Sequence, residues 1–180
     1  AYAARVCERA AERPAFSTVP LSGVLRCDAS GRIDTLPDCE LLSTLAARHP
    51  GKVLYVDFCS TWCGPCRREL KTAMPILREH YAGSDEVRFV TLCLQSRRKA
   101  WSEFLDEFGL TGLGENYFLC DEASMIVMSE YDLPGFPTYA LVGRDGRIAT
   151  LAAPRPSQFE AVTEAIDALL AGKGVRGSEK

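Results

Sequence analysis

Two cysteines separated by Gly-Pro, Cys63 and Cys66, stand where an apolar, β-branched stretch (VLYVDF, 53–58) gives way to a helical pattern opening near Pro65. A helix starting there turns its unpaired N–H groups and the positive end of its dipole toward Cys63, which stabilises the thiolate. Arg67 and Arg68 add positive charge one turn away. Thiolate is the reactive form, so Cys63 is expected to titrate below the roughly 8.5 of a free cysteine. Cys66, one turn deeper, is placed to attack a mixed disulfide formed on Cys63. The competing readings are half a zinc site or a structural disulfide. Zinc asks for a second Cys-x-x-Cys or a Cys/His pair at suitable spacing, and with only His49 and His80 in the chain none exists. The strand and helix on either side favour dithiol redox chemistry, with no metal and no added cofactor.

Asp57 lies on the apolar stretch, six residues before Cys63. A carboxyl group on a buried strand has a raised pKa and can accept a thiol proton near neutral pH. On a strand end facing solvent it would do neither. Val56 and Phe58 should point to the opposite face. Trp62 is either an exposed apolar plate beside the cysteines or a core residue. Six further cysteines remain, at positions 7, 27, 39, 59, 93 and 120. Cys59 is expected to fill a small apolar site, and Cys93 and Cys120, at strand or strand-edge positions, to behave as buried small hydrophobes. Cys7, Cys27 and Cys39 are candidates for pairing in an oxidising compartment. About 15 full pairings are possible among the six, so none is assigned.

Stepping outward from these residues, 180 residues with 47% apolar content describe a chain able to build one substantial core. A formal charge of −3 offers no basic excess for gripping nucleic-acid phosphates. The longest apolar runs fall far short of the roughly 20 residues of a membrane span. The chain opens with neither Met nor a basic-then-apolar segment, which reads as a processed or excised chain whose signal or anchor lies elsewhere.

The periodicity predicts a short helix over 1–17, a hairpin or extended lead-in over 18–36, and an amphipathic helix carrying Leu41, Leu42 and Leu45, with Asp38 as its N-cap. A strand at 53–58 follows, then a helix from 65 to 81 kinked at Pro75 and a strand at 87–94. Helix 98–108, a loop at 109–114 and helix 123–131 come next. Strands 138–143 and 147–152 flank Asp145-Gly146, a strong hairpin signal, and helix 157–171 closes the chain. Alternating strands and helices followed by a hairpin imply an α/β fold with a central mixed sheet flanked by helices.

The segment YVDFCSTWCGPCRRE is similar to the active-site segment of the thioredoxin superfamily. Residues 37–170 as a whole resemble the TlpA/ResA-like thiol–disulfide oxidoreductases, especially those of Bacteroides-type bacteria. GKVLYVDF (51–58) resembles their lead-in strand, and DLPGFPTYALVGRDGRI (132–148) the segment in which a cis-proline precedes an antiparallel hairpin. The resemblance implies a thioredoxin fold over 37–171, an N-terminal extension over 1–36 and a flexible tail at 172–180. It implies Cys63 as the attacking thiol, Cys66 as the resolving thiol, Gly64 and Pro65 as the motif spacer, and Asp57 as the acid serving Cys66. It further implies a cis Phe136–Pro137 bond packed against Cys63, with the Phe136 backbone and Trp62 meeting an extended substrate. The activity implied is that of a reductase or isomerase of protein disulfides, supplied by an upstream electron donor, in the periplasm or another extracytoplasmic compartment.

Two departures stand out. Cys59 replaces an aromatic residue, and Lys71 stands where many relatives have a helix proline, with Pro75 coming later. Other readings are a thioredoxin-fold binding or metallochaperone module and a thiol peroxidase. Such modules often lose one motif cysteine, and both are present here. A peroxidase pattern aligned on Cys63 finds Val56 and Ser60 in place of its proline and threonine. Insulin reduction with dithiothreitol separates these classes.

Overall fold

β3 (Val53–Cys59) is buried at all seven of its residues, because it lies inside the sheet and is covered on both faces. The computed structural model describes residues 20–38, 40–113 and 115–172; the expectations for 1–17, Cys7, Cys39 and the tail beyond 172 lie outside these residues. Around β3 run β1 (Val24–Cys27), β2 (Ile33–Thr35), β4 (Val87–Cys93), β5 (Glu115–Leu119), β6 (Thr138–Val142) and β7 (Ile148–Thr150). They form one sheet in the order β2-β1-β5-β4-β3-β6-β7. The central β3, β4 and β5 are parallel, and β1, β2, β6 and β7 join antiparallel at the two edges. The lead-in thus adds its two strands to the same sheet.

Alternation along the central strands divides the core in two. Tyr55, Cys59, Cys93, Phe118, Tyr139 and Leu141 face one side. There they meet α2 (Gly64–Thr72), α3 (Met74–His80), α4 (Arg98–Glu107) and α6 (Phe159–Leu170). Leu54, Val56, Phe58, Leu92 and Ala140 face the other, under α1 (Leu41–Arg48) and α5 (Asp121–Glu130). Each fully buried Leu, Val or Phe contributes on the order of 1.5–3 kcal/mol through removal from water, so this period-2 partition sets the register.

Three expectations are corrected. β5 was not foreseen: ENYFL opens on Glu115 and Asn116 and leaves an apolar run of only three residues, although four of the five are buried. Asp38 does not cap α1. The cap position belongs to Glu40, in an extended conformation with no side-chain capping bond, and Asp38 is exposed two residues upstream. The kink at Pro75 is a break at Ala73, which ends α2 and opens α3. Proline has no N–H to donate and its ring crowds the preceding turn, so Pro75 sits in a first turn, where neither matters.

Candidate functional site

A tight loop, Ser60-Thr61-Trp62, carries the chain from β3 into α2 and sets Cys63 at the helix's N-cap position. Cys63 is extended (φ −77°, ψ 105°), and its Sγ accepts the Cys66 N–H at 3.2 Å. The Cys63 N–H itself donates to Ser60 O, and Pro65 occupies the first turn, where no intrahelical donor is needed. Cys63 and Cys66 are joined by a disulfide with their Cα atoms 5.3 Å apart. Cys63 keeps 4% of its surface open and Cys66 none. Nothing beyond its neighbours and its own helix backbone lies within 4 Å of where a Gly64 Cβ would stand, so no close contact there requires glycine.

Arg67 does less for Cys63 than its position suggested. Its guanidinium is held by both Glu107 carboxylate oxygens at 2.5 Å and donates to Thr61 O at 3.1 Å, stacked over Phe104 and Phe108. Its charge is largely neutralised there, and Arg68 is exposed. The helix terminus is therefore the main local source of positive potential at Cys63.

Asp57 lies in the middle of β3, 1% exposed, opposite Thr91 on β4 and Tyr139 on β6. Neither carboxylate oxygen has a hydrogen-bond partner among the described residues. Burial pushes its pKa up to about 7, against the attraction of the Arg78 guanidinium and with help from the repulsion of Glu69. Arg78 comes from α3 and lies over the Phe89 ring; Glu69 comes from α2 and accepts from the Ser157 N–H and hydroxyl. Neither stood out in the sequence, because a charged residue on an amphipathic helix ordinarily reads as a solvated face.

Trp62 is 65% exposed and its indole N–H donates to Gln95 O at 2.8 Å. Its ring meets Phe136 edge-on, with centroids 5.9 Å apart. Phe136 is half-buried, Pro137 is buried, and the peptide bond between them is cis. Trp62, Gln95, Ser96, Arg98 and Cys120 line a cleft of about 660 Å³ on the flank of the indole. The 94–96 loop was invisible as a site element. It reaches the cysteine loop only through folding, with Ser96 Oγ bonding the Ser60 hydroxyl at 2.9 Å and accepting the Thr61 N–H at 3.0 Å.

Cys27, Cys59 and Cys93 are buried free thiols. Cys27, a candidate for pairing, is a free thiol among the described residues, and its candidate partners Cys7 and Cys39 lie outside them. Cys120 is only half-buried, at the N-cap of α5, and not the fully buried filler expected of it.

With this geometry in hand, the chain can be set beside known proteins. The Redoxin family model matches residues 14–168. The thiol-disulfide oxidoreductase ResA of Bacillus thuringiensis (strain Al Hakam) is 26% identical over 100 residues, 54% of this chain and 53% of ResA. The chain therefore spans about half the length of that relative. A solution structure from Bacteroides vulgatus, assigned as a thiol-disulfide oxidoreductase, shares 29% identity with a TM-score of 0.62 over 90% of this chain and 96% of that one. A crystal structure with the same assignment and organism shares 25% identity with a TM-score of 0.60, over 83% and 94% of the two chains. The sheet and its flanking helices are a thioredoxin fold.

Proposed function

The chain belongs to the Redoxin family, as a TlpA/ResA-like member of the thioredoxin superfamily, and from that premise we propose that it is a thiol–disulfide oxidoreductase working through Cys63 and Cys66. The observation that carries the proposal is a dithiol pair at a helix N-terminus. Its outer sulfur accepts a helix N–H, and a carboxyl with a pKa near 7 is buried on the adjoining strand.

In the reduced enzyme the Cys63 thiolate attacks one sulfur of a substrate disulfide. A bond forms between Cys63 and that sulfur, the substrate S–S bond breaks, and the other substrate sulfur leaves as a thiolate that takes a proton. Asp57 then accepts the Cys66 proton, and Cys66 attacks Cys63. The Cys63–Cys66 disulfide is restored and the second substrate thiol leaves. The substrate gains two electrons and two protons, and the dithiol is itself the redox group, so no further cofactor is required.

Trp62 and Phe136 form an aromatic rim suited to an extended polypeptide, with Pro137 behind it. Gly-Pro between the cysteines resembles reducing thioredoxins, which favours a reductase over an isomerase of protein disulfides, with an upstream donor re-reducing Cys63–Cys66. The family resemblance favours the periplasm or another extracytoplasmic compartment. No helix among the described residues is long and apolar enough to cross a membrane. The domain plan that goes with this reading is an extension over 1–36, a thioredoxin-like domain over 37–171 and a tail from 172.

Insulin turbidity with dithiothreitol tests the proposal: the parent accelerates precipitation, Cys63→Ser abolishes the acceleration, and Cys66→Ser accumulates a mixed disulfide. A Cys63→Ser variant as active as the parent would overturn it.

A further inference from the structure

Cys59 and Cys93 are the last residues of β3 and β4 and are register partners across that parallel pair. Neighbouring strands lie about 4.8 Å apart, and disulfides bridge Cα separations of roughly 4.4–6.8 Å. Both side chains belong to the core cluster that also holds Cys63 and Cys66. The two thiols act on each other, which pushes Cys59 up and draws Cys93 down. The Ser96 side chain and the Thr61 backbone, the latter two residues before Cys63, draw Cys93 down further. Polar groups gathered beside one sulfur stabilise its thiolate. A cysteine serving only to fill space needs none of them.

Both side chains are fully buried, so a dissolved disulfide cannot reach either sulfur. The Cys63–Cys66 disulfide lies in the same core and opens to the surface at Cys63.

From this cluster we infer that Cys59 and Cys93 form a second dithiol–disulfide couple, which exchanges two electrons with the Cys63–Cys66 disulfide inside the core. The inference rests on the reading of Cys63–Cys66 as a working dithiol. In the oxidising direction the Cys93 thiolate attacks Cys63. A Cys93–Cys63 bond forms, the Cys63–Cys66 bond breaks, and Cys66 leaves as a thiolate that takes up the proton Cys93 has given up. Cys59 then attacks Cys93, forming the Cys59–Cys93 bond and releasing Cys63, which takes the Cys59 proton. Two thiols are oxidised and two sulfurs reduced, with no external reagent. Run in reverse, the buried couple resupplies the surface pair with two electrons after a turnover.

The test uses the full chain, reduced, desalted and exposed to reduced and oxidised glutathione at rising ratios of the oxidised form. Samples are acid-quenched, alkylated in denaturant and digested with trypsin. Residues 53–67 contain Cys59, Cys63 and Cys66, and residues 89–97 contain Cys93 alone. The two fragments are expected to emerge joined, with fragmentation placing the link on Cys59 and a Cys63–Cys66 bond within the first fragment. In a Cys63→Ser/Cys66→Ser variant the link is expected to form about tenfold more slowly or not at all, because the internal oxidant is gone. Full alkylation of Cys93 in the parent while Cys63–Cys66 is oxidised would overturn the inference, as would a link on Cys63 or Cys66 alone. A link forming as fast in the double variant overturns the internal exchange. If Cys63–Cys66 itself fails to oxidise in these samples, the underlying reading fails first, and the same digests reveal it.

Discussion

Two cysteine pairs share one core on one face of the sheet, and they are held together in opposite ways. Cys63 and Cys66 are neighbours because a helical turn makes them so, at the end of α2 where backbone N–H groups are unpaired. Cys59 and Cys93 are far apart in sequence and meet only because β3 and β4 pair in one register. The outer pair has a helix terminus and a small exposed surface at Cys63; the inner pair has polar neighbours and no exposure. Chemical identity is the same in both, so position alone decides which sulfur meets a substrate. A helix N-terminus supplies both an electrostatic bias and an exit to solvent, whereas paired strand ends inside the core supply contact without access.

The sharpest break of this comparison is Cys63→Ser. Turnover of protein disulfides should fall by roughly 10³-fold or more, since no other thiol among the described residues stands at a helix N-terminus one turn from a resolving cysteine. Insulin reduction reads it directly, and substantial activity left in that variant would mean that the inner pair meets substrate after all.

Asp57 lies two residues from Cys59 on β3, and the proposed mechanism gives it to the outer pair. Asp57→Asn should slow resolution by Cys66 on the order of 10²-fold while leaving attack by Cys63 unchanged, in stopped-flow measurements of the two steps. The same variant carries a stability signature. The native pKa of about 7 lies above the unfolded value near 3.8, so between them the native state holds the proton and stability falls as pH rises. The loss levels off above pH 7. Asp57→Asn should therefore be more stable than the parent by on the order of 4 kcal/mol above pH 7, with the gain vanishing below about pH 4. Denaturant midpoints of the oxidised proteins at pH 4, 6 and 8.5 check the sign. Unchanged resolution with altered Cys59–Cys93 oxidation would move Asp57 to the inner pair.

Labelling sharpens the contrast in access. In the reduced protein at pH 7, iodoacetamide should modify Cys63 at least about tenfold faster than Cys59 or Cys93, read by peptide mass at timed quenches. Trp62→Ala tests the rim of the outer pair: kcat/KM for a folded protein disulfide should drop about tenfold, with little change in reaction with dithiothreitol. The smallest effect is expected from Cys59→Ala, which removes a buried thiol and should cost about 1 kcal/mol by urea denaturation while insulin reduction persists. A Cys59→Ala variant inactive on insulin yet folded would show the two pairs to be one.

The motif pair, its place at a strand-to-helix junction and the acid on the strand were readable along the chain. So were the hairpin at Asp145-Gly146 and most helices. Each depends on contacts within a few residues, where covalent connection and hydrophobic period dictate what can meet. β5 escaped because its apolar run is only Tyr117–Leu119, behind Glu115 and Asn116, whereas β3 offers a longer buried stretch. The Cys59–Cys93 contact, the grip of Glu107 on Arg67, the approach of Arg78 and Glu69 to Asp57, and the seating of Gln95 and Ser96 on the cysteine loop were decided only by tertiary structure. These partners are distant in sequence, and which of many residues arrives at a given sulfur or carboxylate is set by strand register and helix packing. The chain alone determined which atoms are reactive. The fold determined their neighbours, because desolvation and charge at a buried site come from whatever packs against it.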